Sequence, residues 1–375
     1  MEFAWNSDQE AVRQRAASFA SEFLAPYAAE WDQQESLPEG VLRACARAGL
    51  TGLTVPKELG GPGASTVAYA LAITELAAAC SSTAVTVAVS SMVAETIARL
   101  GTPEQAERYL PPLLSGEYPA GSFALSEPGS GSDAGSLRTR AEFKGEQVYL
   151  NGEKSWITSG PFAGVFVVWA RTGEGEGTRG VSTFLVEPSD PGFQVGRKEE
   201  KMGLRASPTV SLNFDDCRIT ADRLFGEPGR GFRIAMQALD GGRIGVASQA
   251  LGIARAAIDS VERYYEVHPH RRGAYEESRL AHMKSEFAAA RLLILQAAWL
   301  KDEKKPFSAK AAMAKAYSTE AANIICQEAM DLLGEDGCTN DYPVERLFRD
   351  VRVTTIYEGT SEVQRIVISR SFLNS

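Results

Sequence analysis

The run Ala120-Gly121-Ser122-Phe123-Ala124-Leu125-Ser126-Glu127-Pro128-Gly129-Ser130-Gly131-Ser132-Asp133-Ala134 can be read as the opening of two different folds. From Gly129 to Ala134 it matches the loose dinucleotide fingerprint, which requires a strand before the glycines and a helix after them. Residues 122–125 supply a strand, but residues 137–143 that follow are short and strand-like, so a Rossmann unit is rejected. The run is read instead as the entry to a β domain. Its loop offers small residues, hydroxyls and bare amides close to a strand end, a surface suited to a flat cofactor.

Outward from that run the texture differs on either side. Downstream, aromatic, Thr and Val residues alternate with charged ones in short segments, giving candidate strands at 122–125, 137–143, 147–154, 165–171, 181–186 and 210–214. Lys144-Gly145-Glu146 makes a turn between the second and third, and 172–180 and 188–192 are Gly/Pro-rich loops. Upstream, residues 8–116 read as helical. Asp8 is placed as the first cap, Val12, Ala16, Phe19 and Phe23 recur at helical spacing, and Pro38 opens a second helix ending before Gly49. Residues 53–63 form a Pro/Gly loop, 84–100 is apolar on most sides and reads as a buried helix, and Thr102-Pro103-Glu104-Gln105 is a capping box. From Gly231 the helical period returns in long units, 232–265, 275–302 and 308–334, with shorter ones near Pro343 and Ser361. The expected fold is α+β: an N-terminal helical domain over 1–119, a middle β domain over 120–228 and a C-terminal helical bundle over 229–375.

Composition narrows the function classes. A chain of 375 residues with 44% hydrophobic and 23% charged residues buries a large core, and a net charge of -9 argues against a nucleic-acid partner. Cys45, Cys80, Cys217, Cys326 and Cys338 are odd in number and form no C-x-x-C pair, which reads as reduced thiols in a cytoplasmic protein. Residues 1–10 show neither a signal core nor a transit pattern, and no run approaches the length of a membrane span. Hydrolase chemistry finds no G-x-S-x-G elbow. His268-Pro269-His270 lacks flanking acids or thiols for a metal, so no metal site is expected.

Two stretches carry chemistry. Ile356-Tyr357-Glu358-Gly359-Thr360-Ser361-Glu362-Val363-Gln364 places an acid at a helix entrance, with Ser361 and Gln364 reading as a capping box. Burial would raise the Glu358 pKa and the helix start would lower it, a balance suited to a general base. Trp156-Ile157-Thr158-Ser159-Gly160 adds an aromatic plate and a hydroxyl at another strand end, suited to stacking and hydrogen-bonding an isoalloxazine ring.

Taken in order, these stretches, with Lys201-Met202-Gly203-Leu204-Arg205, Asp240-Gly241-Gly242-Arg243 and Tyr342-Pro343-Val344-Glu345-Arg346, resemble the acyl-CoA dehydrogenase family over nearly the whole chain. The wording is most similar to its short-chain members. The resemblance implies FAD-dependent α,β-dehydrogenation of a short or branched acyl-CoA, with Glu358 taking the α proton and flavin N5 the β hydride. Phe123, Leu125, Ser126, Trp156, Ile157 and Thr158 would contact flavin, with Thr360, Ser361 and Glu362 on its far side. Ser132, Asp240, Arg243 and Gly359 would contact the acyl-CoA. For Arg243 the alternative is a surface ion pair with Asp240, worth about half a kcal/mol. For Ser132 it is a simple turn residue. The implied partners are an acyl-CoA or acyl-carrier-protein thioester, an electron-transferring flavoprotein, and sister subunits in a homotetramer or hetero-oligomer.

The chain departs from the family twice. The family's R-x-x-F-G motif is replaced by Glu266-Val267-His268-Pro269-His270-Arg271-Arg272-Gly273-Ala274, and its Q-x-x-G-G-x-G by Asp331-Leu332-Leu333-Gly334-Glu335-Asp336-Gly337. The resemblance assigns both segments to the ADP half of a neighbouring subunit's FAD, where added carboxylates repel a pyrophosphate. Two further readings stay open: a catalytic-base subunit of a hetero-oligomeric dehydrogenase, and a flavin-free acyl-thioester-binding or structural homologue.

Overall fold

The change of texture at Ala120 is a change of architecture. The computed structural model describes residues 5–173 and 177–373, so the first four residues of the N-terminal stretch and part of the 172–180 loop lie outside it. Helices α1 (Ser7–Phe19, continued by a π turn over Ala20–Leu24), α2 (Ala28–Gln34), α3 (Glu39–Arg47), α4 (Thr66–Ala79), α5 (Ser81–Leu100) and α6 (Pro103–Ser115) come first. The α1 cap is Asn6 and not Asp8: the Asn6 side chain accepts the Gln9 amide at 2.9 Å and the Gln9 side chain accepts that of Asn6 at 2.9 Å. Asp8 instead occupies the first turn, where a negative charge favours the helix dipole. The Thr102–Gln105 box of α6 forms as read. By length and composition α5 is apolar enough to cross a membrane, yet 72% of that window is buried inside the protein, so its apolar surface is used in packing.

The middle of the chain folds into one eight-stranded sheet: β1 (Ala120–Ala124), β2 (Arg140–Lys144), β3 (Gln147–Thr158), β4 (Ala163–Arg171), β5 (Val181–Val186), β6 (Phe193–Lys198), β7 (Thr209–Thr220) and β8 (Leu224–Phe225). Its order is β6-β7-β3-β2-β4-β5-β8, with β1 running parallel to β4. Gly145, at φ +64°, makes the tight β2–β3 turn between paired Lys144 and Gln147. One face of the sheet has its own core of Leu150, Phe166, Phe184 and Leu212. The other packs Val167 and Trp169 against Val93 and Ile97 of α5 and Leu113 of α6. Strand β6 escaped the sequence reading because Phe193-Gln194-Val195 alternates for only three residues before Gly196, Arg197 and Lys198 end the pattern, as an edge strand with one partner allows.

Helices α7 (Gly231–Val267), α8 (Ala274–Asp302), α9 (Ser308–Leu333), α10 (Val344–Val351) and α11 (Ser361–Leu373) complete the chain. The Ala- and Gly-rich face of α7 lets it approach α4 closely; a Cβ at Gly252 would lie 2.4 Å from the Thr74 carbonyl oxygen. Ile244 and Leu251 of α7 share a core with Leu71 of α4, Ile294 of α8 and Ala311 of α9. Helix α7 therefore touches both the N-terminal helices and the final bundle, which fixes the place where the Glu358 turn meets the rest of the molecule.

Candidate active site

Between α10 and α11 the backbone turns through Glu358 and Gly359, both left-handed, at φ +56° and +90°. For glycine this is easy; for glutamate it costs on the order of 1 kcal/mol and persists only where surroundings enforce it. Three bonds do so. Gln364 Nε2 donates to the carbonyls of Glu358 at 3.1 Å and Gly359 at 2.8 Å, and Lys315 Nζ reaches from α9 to the Gly359 carbonyl at 2.7 Å. The expected Ser361–Gln364 capping box does not form. Thr360 caps α11 by accepting the Val363 amide at 3.3 Å, Ser361 is the first helical residue, and Gln364 is committed to the turn. Ser361 Oγ and Gln364 Oε1 are left buried without hydrogen-bond partners.

The Glu358 residue is half-buried, but its Oε2 is out of reach of solvent and accepts no hydrogen bond. It rests against Gly242 of α7, where a Cβ would lie 2.5 Å from Oε2 and 2.9 Å from Met92 Sδ. Loss of hydration pushes the carboxyl from its ordinary 4.5 up to about 7, while the nearby Arg243 and Lys315 cations pull it back. Burial therefore dominates, and two cations supply the opposing pull. Arg243 is only 4% exposed, donates to Asp240 Oδ1 at 2.5 Å, and leaves Nε unpartnered; Asp240 also accepts from Ser308 Oγ at 2.7 Å. The pair is thus internal, not the surface pair of the alternative reading. Lys315 is fully buried, and burial pulls its pKa down to about 8. No sequence signal marks Lys315, one lysine in an alanine-rich helix that becomes special only through the distant Gly359 turn.

The second wall comes from the sheet. Ser122 Oγ donates to the Thr158 carbonyl at 2.7 Å and the Ser155 amide to the Ser126 carbonyl at 2.9 Å, which sets the ends of β1 and β3 side by side. Trp156, at φ +61°, is 63% exposed, so its indole presents an open face. Strand alternation sends Ile157 the other way, into the sheet core, and Leu125 packs against the helix-facing core, so only their main chains remain for a ligand. Phe123 lies tilted beside Trp169, with centroids 4.3 Å apart, and packs on the same Val85–Val89–Leu204 cluster as Tyr357, through which the sheet and the Glu358 stretch are joined. Ser132 and Glu362 are exposed. Behind this wall lies a buried pair the sequence reading missed. Lys154 Nζ donates to Glu127 Oε1 at 2.7 Å and the Leu125 carbonyl at 3.2 Å, while Glu127 also accepts the Arg138 and Thr139 amides at 2.5 and 2.9 Å.

An open aromatic face on one wall, with the unpartnered Ser361 Oγ and Gln364 Oε1 at the start of α11, suits the ring half of a flavin. The two altered segments meet each other. Tyr264 Oη donates to Asp336 Oδ2 at 2.6 Å, and Arg271 Nη1 donates to Tyr264 Oη at 2.7 Å and lies 3.5 Å from Asp336. Asp336, at the motif's variable position, is thereby held by its own chain, and Glu335, which stands where the family has a glycine, lies 3.9 Å from Arg271 Nη2.

Family models for the N-terminal, middle and C-terminal domains of acyl-CoA dehydrogenase match residues 6–117, 122–217 and 229–373. The mouse (Mus musculus) mitochondrial short-chain specific acyl-CoA dehydrogenase is 44% identical, over 97% of this chain and 90% of that protein. The structure of butyryl-CoA dehydrogenase from Megasphaera elsdenii superposes with a TM-score of 0.95 at 37% identity, covering 100% of both chains. That of a glutaryl-CoA dehydrogenase from Mycobacterium smegmatis in complex with FADH2 does so with a TM-score of 0.92 at 29% identity, covering 99% of this chain and 96% of the other. With three successive domain models in register and near-complete overlap at this identity, the chain belongs to the acyl-CoA dehydrogenase family of FAD-dependent oxidoreductases.

Proposed function

We propose that the protein desaturates a short or branched acyl-CoA between its α and β carbons, with Glu358 as the base that removes the α proton. The observation that carries this reading is the free, buried Glu358 Oε2, tuned to about 7 and seated against Gly242. A base near neutrality is ionised often enough to act and basic enough to accept a carbon-bound proton. The Glu358 N–H would meet the thioester oxygen as enolate charge grows there, which is why the left-handed turn has to be held rigidly. Bound flavin supplies the hydride acceptor that no side chain provides. Trp156, Thr158, Thr360, Ser361 and Glu362 would hold that ring, joined by Phe123 and the main chains of Leu125, Ser126 and Ile157. Ser132, Asp240, Arg243 and Gly359 would hold the thioester.

The short-chain names of the relatives and the confined space beside Gly242 favour a short acyl group. An electron-transferring flavoprotein is the proposed acceptor, sister subunits complete the proposed oligomer, and free thiols favour the cytoplasm as its compartment. The test is anaerobic titration of the purified yellow protein with butyryl-CoA. Bleaching of the oxidised flavin in the wild type and its loss in Glu358→Gln, with thioester affinity retained, is the expected result. Equal bleaching in both removes Glu358 as the base.

A further inference from the structure

A cavity of about 20 Å³ lies just beyond the Glu358 carboxylate, walled by Tyr69 of α4, Met92 and Glu95 of α5, Thr54, and the Gly241–Gly242 step of α7. It shares Gly242 and Met92 with the base, so it is the space that an acyl chain lying against Glu358 would reach. The charged groups here are already satisfied. Glu95 accepts from Lys301 Nζ, 2.7 Å away, and from Thr54 Oγ1 at 3.1 Å, and Lys301 lies along Gly241, 3.1 Å from where a Cβ would stand.

Tyr69 is different. It is 7% exposed, and its hydroxyl makes no hydrogen bond among the described residues. That oxygen is 2.5 Å from where a Cβ at Gly245 would be, so α7 is kept bare for it. Burial, helped by Glu95 and Glu358, keeps the phenol neutral, able both to donate and to accept. A neutral hydroxyl that lines the cavity with no protein partner is left to bond whatever enters it.

We propose that the pocket end selects a short acyl group that terminates in a neutral hydroxyl, with Tyr69 as its hydrogen-bonding partner. This rests on the dehydrogenase reading for the position of the thioester. The space matches, since a cavity of about 20 Å³ admits one water-sized group. The charges at the wall pair with one another, Glu95 with Lys301 at 2.7 Å and with Arg99 at 3.6 Å, so an ionic tail of either sign would have to compete with those pairs, whereas a neutral hydroxyl would not. A plain methyl end fits the volume but leaves the phenol unpaired, which a site built for a hydroxyl discriminates against strongly.

The test uses Glu358→Gln holoprotein, in which the thioester is not consumed, and compares pentanoyl-CoA with 4-hydroxybutyryl-CoA, whose acyl groups differ only by methyl for hydroxyl. Calorimetric titration is expected to show about tenfold or greater preference for the hydroxylated tail. Adding Tyr69→Phe should collapse the ratio toward one, with flavin retained as the check on folding. A preference for pentanoyl-CoA, or a ratio that Tyr69→Phe does not change, overturns the proposal. Wild-type protein that bleaches with neither thioester would instead overturn the dehydrogenase reading, while the two affinities still decide the tail.

Discussion

Replacing Lys315 by methionine deletes a buried cation while keeping most of its apolar stem. Two interactions are lost, the bond to the Gly359 carbonyl at 2.7 Å and the positive charge that favours ionised Glu358. At a separation of roughly 6 Å and an effective dielectric of about 20, that charge is worth about 3 kcal/mol, or about two pKa units. The Glu358 carboxyl, now at about 7, should therefore titrate higher. Because the base works in its ionised form, the rising limb of flavin reduction against pH should move alkaline by roughly one to two units. Stability should respond in the opposite sense to a merely structural lysine. Folding lowers the Lys315 pKa from 10.5 to about 8, so the buried ammonium is held at a cost of roughly 3 kcal/mol below pH 8, which fades as pH rises toward 10.5. Lys315→Met is therefore expected to resist urea at neutral pH about as well as the wild type, the relieved desolvation offsetting the lost bond. Stopped-flow reduction by butyryl-CoA across pH, with urea unfolding alongside, reads both. A limb fixed near 7 together with a clear loss of stability would refute the electrostatic role.

Three further outcomes are expected. Glu358→Gln should lower the rate of flavin reduction by about 10²- to 10⁴-fold with thioester affinity changed little, measured by stopped flow and calorimetry. Gly242→Ala puts a methyl 2.5 Å from Glu358 Oε2 and 2.9 Å from Met92 Sδ, so it should cost about 1–3 kcal/mol in urea unfolding and displace the base, slowing reduction; unaltered kinetics would mean that the carboxylate does not rest there during turnover. Lys154→Met strands Glu127 inside the protein and should cost about 3–5 kcal/mol, whereas the double variant Lys154→Met/Glu127→Gln should recover most of that; equal losses in both would deny the pairing.

The three-part plan was readable because each part carries its own texture: Val165 to Ala170 is a short unbroken apolar run, as a strand buried on both faces is, and the long C-terminal segments repeat every three to four residues between clear breakers. The acid of the Glu358 stretch was readable for the same local reason, as a residue beside a glycine and a helix start. What escaped was set by competition among neighbours in two places and by distance in the others. Asn6 outcompeted Asp8 as the first cap through its reciprocal bonds with Gln9. Gln364 was read as a partner for Ser361, but two backbone carbonyls freed by a left-handed turn were better acceptors for its amide. Lys315, Lys154 and Tyr69 gave no local sign, since a lysine in a helix or strand is ordinarily solvated and a tyrosine in an apolar helix ordinarily core. Their significance comes from what stands opposite: a carbonyl at Gly359, a carboxylate at Glu127, and an empty face at Gly245.

That empty face has a dynamic consequence. Gly241, Gly242 and Gly245 fall within two turns of a 37-residue helix, and glycines there weaken it by roughly 3 kcal/mol relative to alanines. The longest helix among the described residues is thus most pliable beside the reacting atoms, braced at these glycines by the tips of Lys301, Glu358, Met92 and Tyr69. Amide protons of that segment should exchange with deuterium faster than those elsewhere in the interior of α7, and slow down once a thioester fills the adjoining space. Occupancy of the pocket would then be visible from the backbone alone, with no flavin signal needed.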